Sequence, residues 1–125
     1  MNSKILIVDD SSLARRTART LLEEMGHQVD EATDGAQALE RFYLQPPDLV
    51  VLDMVMSGMY GLDVLTRLRE LKPDVRVIVV TADIQDSTQA QVRAAGAAAF
   101  INKPLSRQKL SQTVAAVLEG GQSWS

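Results

Sequence analysis

Apolar runs alternate with segments of helical period five times along the chain. The apolar runs predict strands, and the segments between them carry apolar residues three and four positions apart, as amphipathic helices do. This alternation indicates βαβ units, in which helices cover both faces of a parallel sheet. We place the strands at Lys4 to Val8, Gln28 to Ala32, Leu49 to Leu52, Val75 to Val80 and Ala98 to Ile101.

The composition of the strands separates the middle of the predicted sheet from its edge. Val, Ile and Leu dominate the first, third and fourth strands, which suits central strands that are buried on both faces. The second strand, QVDEA, is more polar and therefore fits the edge of the sheet.

Capping residues and helix breakers predict where the helices begin and end. The expected starts are Ser11 or Ser12, Asp34 with Gln37 as a capping box, Gly61, Ser87 and Ser106. The expected ends of the first four helices are Gly26, Pro46 with Pro47, Pro73 and Gly96.

Apolar residues at core spacing identify the side of each helix that should be buried. Leu13 lies outside the buried stripe of the first helix, and Leu71 lies at the end of the stripe of the third. The predicted stripes are Ala14, Ala18, Leu21, Leu22 and Met25 in the first helix, Leu62, Leu65, Leu68 and Leu71 in the third, and Leu110, Val114, Val117 and Leu118 in the fifth.

Length and composition indicate one ordinary globular domain. The chain has 125 residues, of which 46% are hydrophobic and 23% charged, a balance that argues against disorder and leaves no room for two full cores. We expect residues 1–119 to form the domain and residues 120–125 to form a flexible tail.

Net charge and hydropathy indicate which classes of partner and which cellular location to expect. A net charge of −3 without any basic run gives no reason to expect direct nucleic-acid binding. No apolar stretch reaches the roughly 20 residues that cross a bilayer, and no signal peptide is recognisable. We therefore expect a cytoplasmic protein with no membrane insertion. The absence of Cys excludes disulfides and thiol chemistry.

Chemically active residues fall where the chain leaves four of the predicted strands. Asp9 and Asp10 follow the first strand, Asp53 the third, Thr81 the fourth and Lys103 the fifth. Ligands of open α/β sheets bind outside the carboxyl ends of the strands. We therefore expect these residues to share one crevice, although each has an ordinary explanation alone, such as a helix cap or a surface charge.

The residue types in this crevice suggest phosphoryl chemistry. Neighbouring carboxylates repel one another unless a cation neutralises them, and an all-oxygen ligand set favours Mg²⁺ or Mn²⁺ over zinc. A carboxylate such as Asp53 can act as a nucleophile and form an aspartyl phosphate. Lys103 and the Thr81 hydroxyl would then contact phosphoryl oxygens.

Four sequence segments closely resemble the receiver domain of two-component response regulators, of the single-domain type similar to chemotaxis regulators. They are ILIVDDSSLARR, DLVVLDMVMSGMYGLDVL, VIVVTA and GAAAFINKP, in the expected order, and the resemblance runs from Lys4 to about Leu118. It implies a flavodoxin-like (βα)5 fold, a three-layer sandwich around a parallel five-stranded sheet of order 2-1-3-4-5.

The resemblance also implies a role for each residue of the crevice. Asp53 would accept a phosphoryl group from a histidine kinase, a phosphotransfer protein or a small donor such as acetyl phosphate. Asp10 would bind Mg²⁺ directly, Asp9 through water, Asp53 as a further ligand and Val55 through its backbone carbonyl. Lys103 would contact the phosphoryl group.

A conformational switch is the second implication of the resemblance. Thr81 would move toward the phosphoryl group and Phe100 would turn inward, which would remodel the face formed by the fourth helix, fifth strand and fifth helix. The Lys103-Pro104 bond would be cis. Such a chain is not an enzyme in the usual sense, since it catalyses only its own phosphorylation and dephosphorylation.

Partners follow from the same resemblance. They would be the phosphoryl donor and a downstream protein target, and the chain would be a monomer or a phosphorylation-dependent dimer. Leu13 is either a docking side chain for the donor or simply exposed. Similar domains carry an Asp or Asn where this chain has Tyr60, so the loop before the third helix should differ.

Other functions are less consistent with the sequence. A haloacid-dehalogenase-type hydrolase needs a second Asp two residues beyond the nucleophile, where this chain has Val55. A flavodoxin-like electron carrier is disfavoured because Asp9 and Asp10 would repel a flavin phosphate. The alternatives left open are a phosphorelay intermediate, a phosphate sink and a phosphate-independent interaction module.

Overall fold

Strands and helices alternate through the described part of a computed structural model, which covers residues 3–54, 60–82 and 86–120. The strands are β1 Lys4–Val8, β2 Gln28–Ala32, β3 Leu49–Asp53, β4 Val77–Thr81 and β5 Ala99–Asn102. The helices are α1 Ser12–Glu24, α2 Gly35–Leu44, α3 Gly61–Leu71, α4 Asp86–Ala94 and α5 Arg107–Leu118. The predicted alternation is confirmed, with strand ends displaced by one or two residues in β3, β4 and β5.

The five strands form one parallel sheet in the order β2-β1-β3-β4-β5. Every residue of β3 and β4 is buried, whereas β2 alternates between exposed and partly buried residues before its last residue. The polar second strand therefore lies at an edge, and the predicted fold class and strand order are confirmed.

Two apolar layers enclose the sheet, because successive side chains of a strand point to opposite faces. In β1, Leu6 and Val8 join a cluster with residues of α2, α3 and α4, whereas Ile5 and Ile7 join a second cluster with residues of α1 and α5. The result is the expected three-layer sandwich, with α1 and α5 on one face and the other helices on the opposite face.

The predicted caps of three helices are confirmed. The Ser11 hydroxyl accepts a hydrogen bond from the backbone N–H of the third residue after it, and the Ser106 hydroxyl does the same. At the start of α2, Asp34 accepts from the backbone N–H of Gln37 at 2.8 Å. The Gln37 side chain accepts from the backbone N–H of Thr33, so the reciprocal bond of the capping box reaches one residue further back than usual.

Two expectations about helices are wrong. Helix α4 begins at Asp86, so Ser87 lies inside the helix and cannot cap it. Leu71 is 55% exposed, because it is the last residue of α3 and lines a surface depression with Leu39 of α2. Of the expected tail, residues 120–125, all but Gly120 lie outside the described residues.

Candidate functional site

Four strand ends bring the predicted residues to one edge of the sheet. Asp53 and Thr81 are the last residues of β3 and β4, while Asp9 and Lys103 directly follow β1 and β5. The strands are parallel, and the backbone N–H of Lys103 donates to the carbonyl of Thr81 at 2.8 Å. The carboxyl ends of the strands therefore form the crevice that the sequence predicts.

The acidic residues form a cluster with the dimensions of a metal site. One carboxylate oxygen from each of Asp9, Asp10 and Asp53 lies within 4.8 Å of the others. Asp9 and Asp53 are buried, at 6% and 7% exposure, whereas Asp10 is exposed. Buried like charges at this separation are unfavourable without a counter-charge, and an oxygen-only set with one open side suits a hard divalent cation. The residues present therefore fit a metal ion.

Lys103 supplies a positive charge to this cluster. Its Nζ donates a hydrogen bond to Oδ2 of Asp9 at 3.0 Å and lies 3.6 Å from Oδ1 of Asp53. Burial acts to lower the pKa of Lys103, but the hydrogen bond to Asp9 and the attraction of both carboxylates outweigh it, so the pKa is raised. The side chain is therefore a permanent cation between the two buried acids.

Hydrogen bonds on all sides fix Asp9. Its backbone N–H donates to the carbonyl of Ala32 at 3.2 Å, and its own carbonyl accepts from Nη1 of Arg15 at 2.7 Å. Its two carboxylate oxygens accept from the backbone N–H of Ser11 and from Lys103. Arg15 was not among the predicted site residues, although an arginine five residues after an acidic pair is a visible signal.

A glycine lets helix α3 approach the end of strand β3. A Cβ atom at Gly61 would lie 2.7 Å from the backbone carbonyls of Asp53 and Met54, well inside van der Waals contact. The backbone N–H of Gly61 donates to the carbonyl of Met54 at 3.0 Å. The sequence predicted Gly61 only as the start of α3, and its contact with the chain after Asp53 is a tertiary feature.

The predicted switch residues lie close to the crevice. Thr81 is fully buried, and Phe100 is 7% exposed within the cluster on the α2, α3 and α4 face. The predicted cis bond between Lys103 and Pro104 is confirmed. Val55, expected to offer a backbone carbonyl to the metal, lies outside the described residues.

A shallow depression opens beside the crevice. Leu13 is 71% exposed, which agrees with its predicted position off the buried stripe of α1. The depression has a volume of about 270 Å³ and is lined by Ser11, Leu13, Ala14, Thr17, Lys103, Pro104 and Leu105.

His27 lies away from the site and is structural. It is buried, and its Nδ1 accepts a hydrogen bond from the backbone N–H of Ser3 at 3.3 Å. Burial lowers the pKa of His27 from its ordinary 6.5. The imidazole is therefore neutral in the fold and acts as an acceptor.

In the described part of the chain, every helix is too short or too polar to cross a membrane.

Residues 5–115 match the family model described as response regulator receiver domain. The chain is 30% identical to chemotaxis protein CheY of Thermotoga maritima, over 91% of this chain and 96% of that protein. It is 34% identical to sporulation initiation phosphotransferase F of Bacillus subtilis, over 91% of this chain and 92% of that protein.

A solved structure agrees with this assignment. The chain resembles CheY in the crystal structure of the CheX-CheY-BeF3-Mg complex of Borrelia burgdorferi, with a TM-score of 0.87 and 32% identity. The likeness covers 91% of this chain and 87% of that one. The strand order, the clustered acids and the family match agree, and the chain belongs to the response regulator receiver domain family of two-component systems.

Proposed function

We propose that this chain is a phosphorylation-activated switch in which Asp53 accepts a phosphoryl group. One arrangement carries the proposal: the Asp53 carboxylate is buried at a strand end, 3.6 Å from the Lys103 ammonium and within 4.8 Å of oxygens of Asp9 and Asp10. A carboxylate beside a fixed cation, with further acids that can hold a divalent metal ion, is suited to accept a group that is itself strongly anionic.

The proposed reaction is a displacement at phosphorus. An oxygen of Asp53 attacks the phosphorus atom of a phosphohistidine on a histidine kinase or phosphotransfer protein. The new O–P bond forms as the P–N bond breaks, and the imidazole nitrogen keeps the electron pair. With acetyl phosphate the P–O bond breaks and acetate leaves. Lys103 then stabilises the phosphoryl oxygens.

The acidic cluster would hold Mg²⁺, with Mn²⁺ as a substitute of similar preference for oxygen ligands. Asp9, Asp10 and Asp53 are the side chains that fit, and Val55 would add a backbone carbonyl. When bound, the ion would neutralise negative charge on the phosphoryl group. The Borrelia complex pairs beryllofluoride with magnesium, which supports this choice of metal.

The proposed output is a shift between two packings. The phosphoryl group would attract the Thr81 hydroxyl, and the state with Phe100 inside the core would be favoured over one with the ring outside. Phe100 is 7% exposed and belongs to the core cluster on the α2, α3 and α4 face, which supports a place for the ring inside the core. The partner surface would be the face of α4, β5 and α5, as part of a monomer or of a phosphorylation-dependent dimer.

We propose that the depression beside Leu13 docks the phosphoryl donor. Leu13 is exposed next to Lys103 and Pro104 at the rim of the crevice, where a donor histidine must approach Asp53. Phosphotransfer from a cognate donor should slow in Leu13→Ala, while phosphorylation by acetyl phosphate should stay unchanged. Equal transfer rates in Leu13→Ala and wild type would remove the docking proposal.

The remaining parts of the proposal follow from this role. The chain acts as a switch rather than as an enzyme on other substrates, it works in the cytoplasm, and it does not bind nucleic acid directly. A phosphorelay intermediate is the second candidate, because one of the relatives with matching length is a phosphotransferase by name.

Intact mass after incubation with acetyl phosphate and Mg²⁺ tests the proposal. We expect a gain of about 80 Da, the mass of one phosphoryl group, that disappears in Asp53→Asn and with excess chelator. If neither this gain nor a beryllofluoride complex forms in wild type, the phosphorylation switch is wrong and a phosphate-independent interaction module replaces it.

A further inference from the structure

Arg15 links the edge strand β2 to the peptide that joins two of the acidic residues. Its Nε donates to Oε1 of Glu31 at 3.0 Å, and its Nη1 donates to the backbone carbonyl of Asp9 at 2.7 Å. Glu31 also binds Nη1 of Arg19 through its second oxygen at 2.5 Å. The Arg15 side chain is 14% exposed, so the contact with Asp9 is largely shielded from water.

The planar guanidinium makes this arrangement directional. Nε and Nη1 point in different directions in one rigid plane, so the bond to Glu31 fixes the direction in which the Nη1 hydrogens point. A lysine has one ammonium group on a flexible stem and cannot hold both partners in a fixed geometry. The residue type therefore matters here, in addition to its charge.

The carbonyl that Arg15 holds belongs to the peptide between Asp9 and Asp10. Because a peptide unit is planar, fixing this carbonyl also fixes the N–H and the Cα of Asp10, which lie in the same plane. Asp10 is the exposed member of the cluster, and the Asp9 side chain is held by Ser11 and Lys103. The Arg15 contact is thus suited to orient the two carboxylates relative to each other.

We infer that Arg15, held by Glu31, is a positioning residue that sets the relative orientation of Asp9 and Asp10 and so the divalent-metal affinity of the cluster. This inference rests on the proposed function, since it assumes that the cluster binds Mg²⁺. Groups that orient metal ligands from outside commonly change metal affinity by about 10-fold to 100-fold when removed.

Removing Arg15 should change the Mg²⁺ affinity in opposite directions, depending on whether Arg15 acts through its charge or as a positioning residue. As a positive charge next to the cluster, Arg15 repels a divalent cation, so its loss should tighten Mg²⁺ binding if charge alone matters. As a positioning residue, it preorganises the ligands, so its loss should weaken binding. The sign of the change therefore separates the two roles.

The experiment is a calorimetric Mg²⁺ titration of the metal-stripped chain as wild type, Arg15→Met and Arg16→Met. Arg16 is exposed on the same helix, so Arg16→Met removes the same charge without touching the carbonyl of Asp9. We expect the Mg²⁺ dissociation constant to rise on the order of tenfold in Arg15→Met and to stay within about twofold of wild type in Arg16→Met. Arg15→Lys should give an intermediate value.

Amide hydrogen exchange without metal provides a second readout. The backbone N–H of Ser11 donates to Oδ1 of Asp9 at 2.9 Å, so a loosened Asp9 should raise its exchange rate. We expect faster exchange at Ser11 in Arg15→Met than in Arg16→Met, and a smaller increase in Glu31→Gln, whose amide oxygen can still accept from Nε. Melting temperatures of all variants identify any general loss of stability.

The outcomes separate the inference from the proposed function. The positioning role is wrong if the wild type binds Mg²⁺, Arg15→Met binds it equally well or more tightly, and the N–H of Ser11 exchanges equally fast in both proteins. The proposed function is then left intact. A wild-type chain that binds no Mg²⁺ overturns the proposed function and, with it, this inference.

Discussion

Lys103 and Asp9 lie 94 positions apart in the chain, yet Nζ of Lys103 donates a 3.0 Å hydrogen bond to Oδ2 of Asp9. The bond connects the loop after β1 with the loop after β5, on opposite sides of the central strand β3. Asp53 lies at the end of that strand, 3.6 Å from the same ammonium. Lys103 thus neutralises part of the acidic cluster and also lies beside the proposed phosphoacceptor.

Lys103→Met should separate these two roles. We expect phosphorylation by acetyl phosphate at saturating Mg²⁺ to slow about 100-fold, as reactions do in enzymes that lose one donor to the transition state. Mg²⁺ should bind more tightly, because the variant removes a cation that competes for the same carboxylates. Phosphorylation kinetics and a metal titration check both changes, and an unchanged rate would show that Lys103 does not act on the phosphoryl group.

Gly61→Ala should disturb Asp53, the proposed phosphoacceptor, because Gly61 begins the helix that packs against the end of β3. The added Cβ would lie 2.7 Å from the carbonyls of Asp53 and Met54, and such overpacking costs about 1–3 kcal/mol. We expect a lower free energy of unfolding and slower phosphorylation. Gly26→Ala is the matched control, because Gly26 has a φ of 93° but open space around its Cβ position.

The control should lose about 1 kcal/mol of stability through backbone strain and keep the phosphorylation rate of the wild type. Denaturant unfolding and acetyl phosphate kinetics measure the two quantities. A wild-type rate in Gly61→Ala, or an equal loss of rate in Gly26→Ala, would contradict the proposed close approach of α3 to Asp53.

Tyr60 is a weak N-cap, and replacing it should stabilise the protein. It precedes α3 with extended backbone angles and forms no side-chain cap hydrogen bond. Tyr60→Asp and Tyr60→Ser each supply a capping oxygen, which is worth about 1 kcal/mol, whereas Tyr60→Ala supplies none. We expect higher unfolding midpoints for Tyr60→Asp and Tyr60→Ser than for Tyr60→Ala and for the wild type. Equal midpoints in all three variants would show that the N-cap is satisfied in another way.

His27 should make stability fall as the solution becomes acidic. Its pKa is lowered below 6.5 by burial, so between that lowered value and 6.5 the unfolded chain binds a proton that the folded chain does not. Stability contributed by neutral His27 is therefore present above pH 6.5 and is lost as pH decreases below it.

His27→Asn should remove this dependence, since Asn offers an acceptor oxygen near the position of Nδ1 but does not titrate. Denaturant unfolding of both proteins measures the free energy of unfolding as a function of pH. The pH range, from about 7.5 to about 5, lies around the ordinary His pKa of about 6.5. Parallel slopes for the two proteins would exclude His27 as the titrating group.

Much of the fold could be predicted because local and tertiary signals agree. Buried strands such as β3 and β4 are continuous apolar runs, and the polar β2 lies at the edge. The caps at Ser11, Asp34 and Ser106 use only neighbouring residues, so the sequence contains all the information they need. Ser87 is wrong as a cap because α4 begins one residue earlier, at Asp86, and the run Asp86, Ser87 and Thr88 consists of capping residue types, so the local sequence does not choose between adjacent starts.

The site was predictable where it depends on strand ends and unpredictable where it depends on contacts between elements. Asp9, Asp53 and Lys103 converge because parallel strands end at one edge of the sheet. The bond from Arg15 to the carbonyl of Asp9 and the packing of Gly61 on Asp53 depend on side-chain reach and helix position. A single sequence does not contain these distances.

Locating the phosphoryl group in the sequence tests most directly whether Asp53 accepts it. After phosphorylation by acetyl phosphate, borohydride reduces an aspartyl phosphate to homoserine, which peptide mass mapping can place in the sequence. We expect homoserine at position 53 and unchanged Asp at positions 9 and 10, with no conversion when Mg²⁺ is chelated. Asp53 would not be the phosphoacceptor if homoserine appeared at another residue. The same holds if no residue were converted although the intact protein carried the phosphoryl mass.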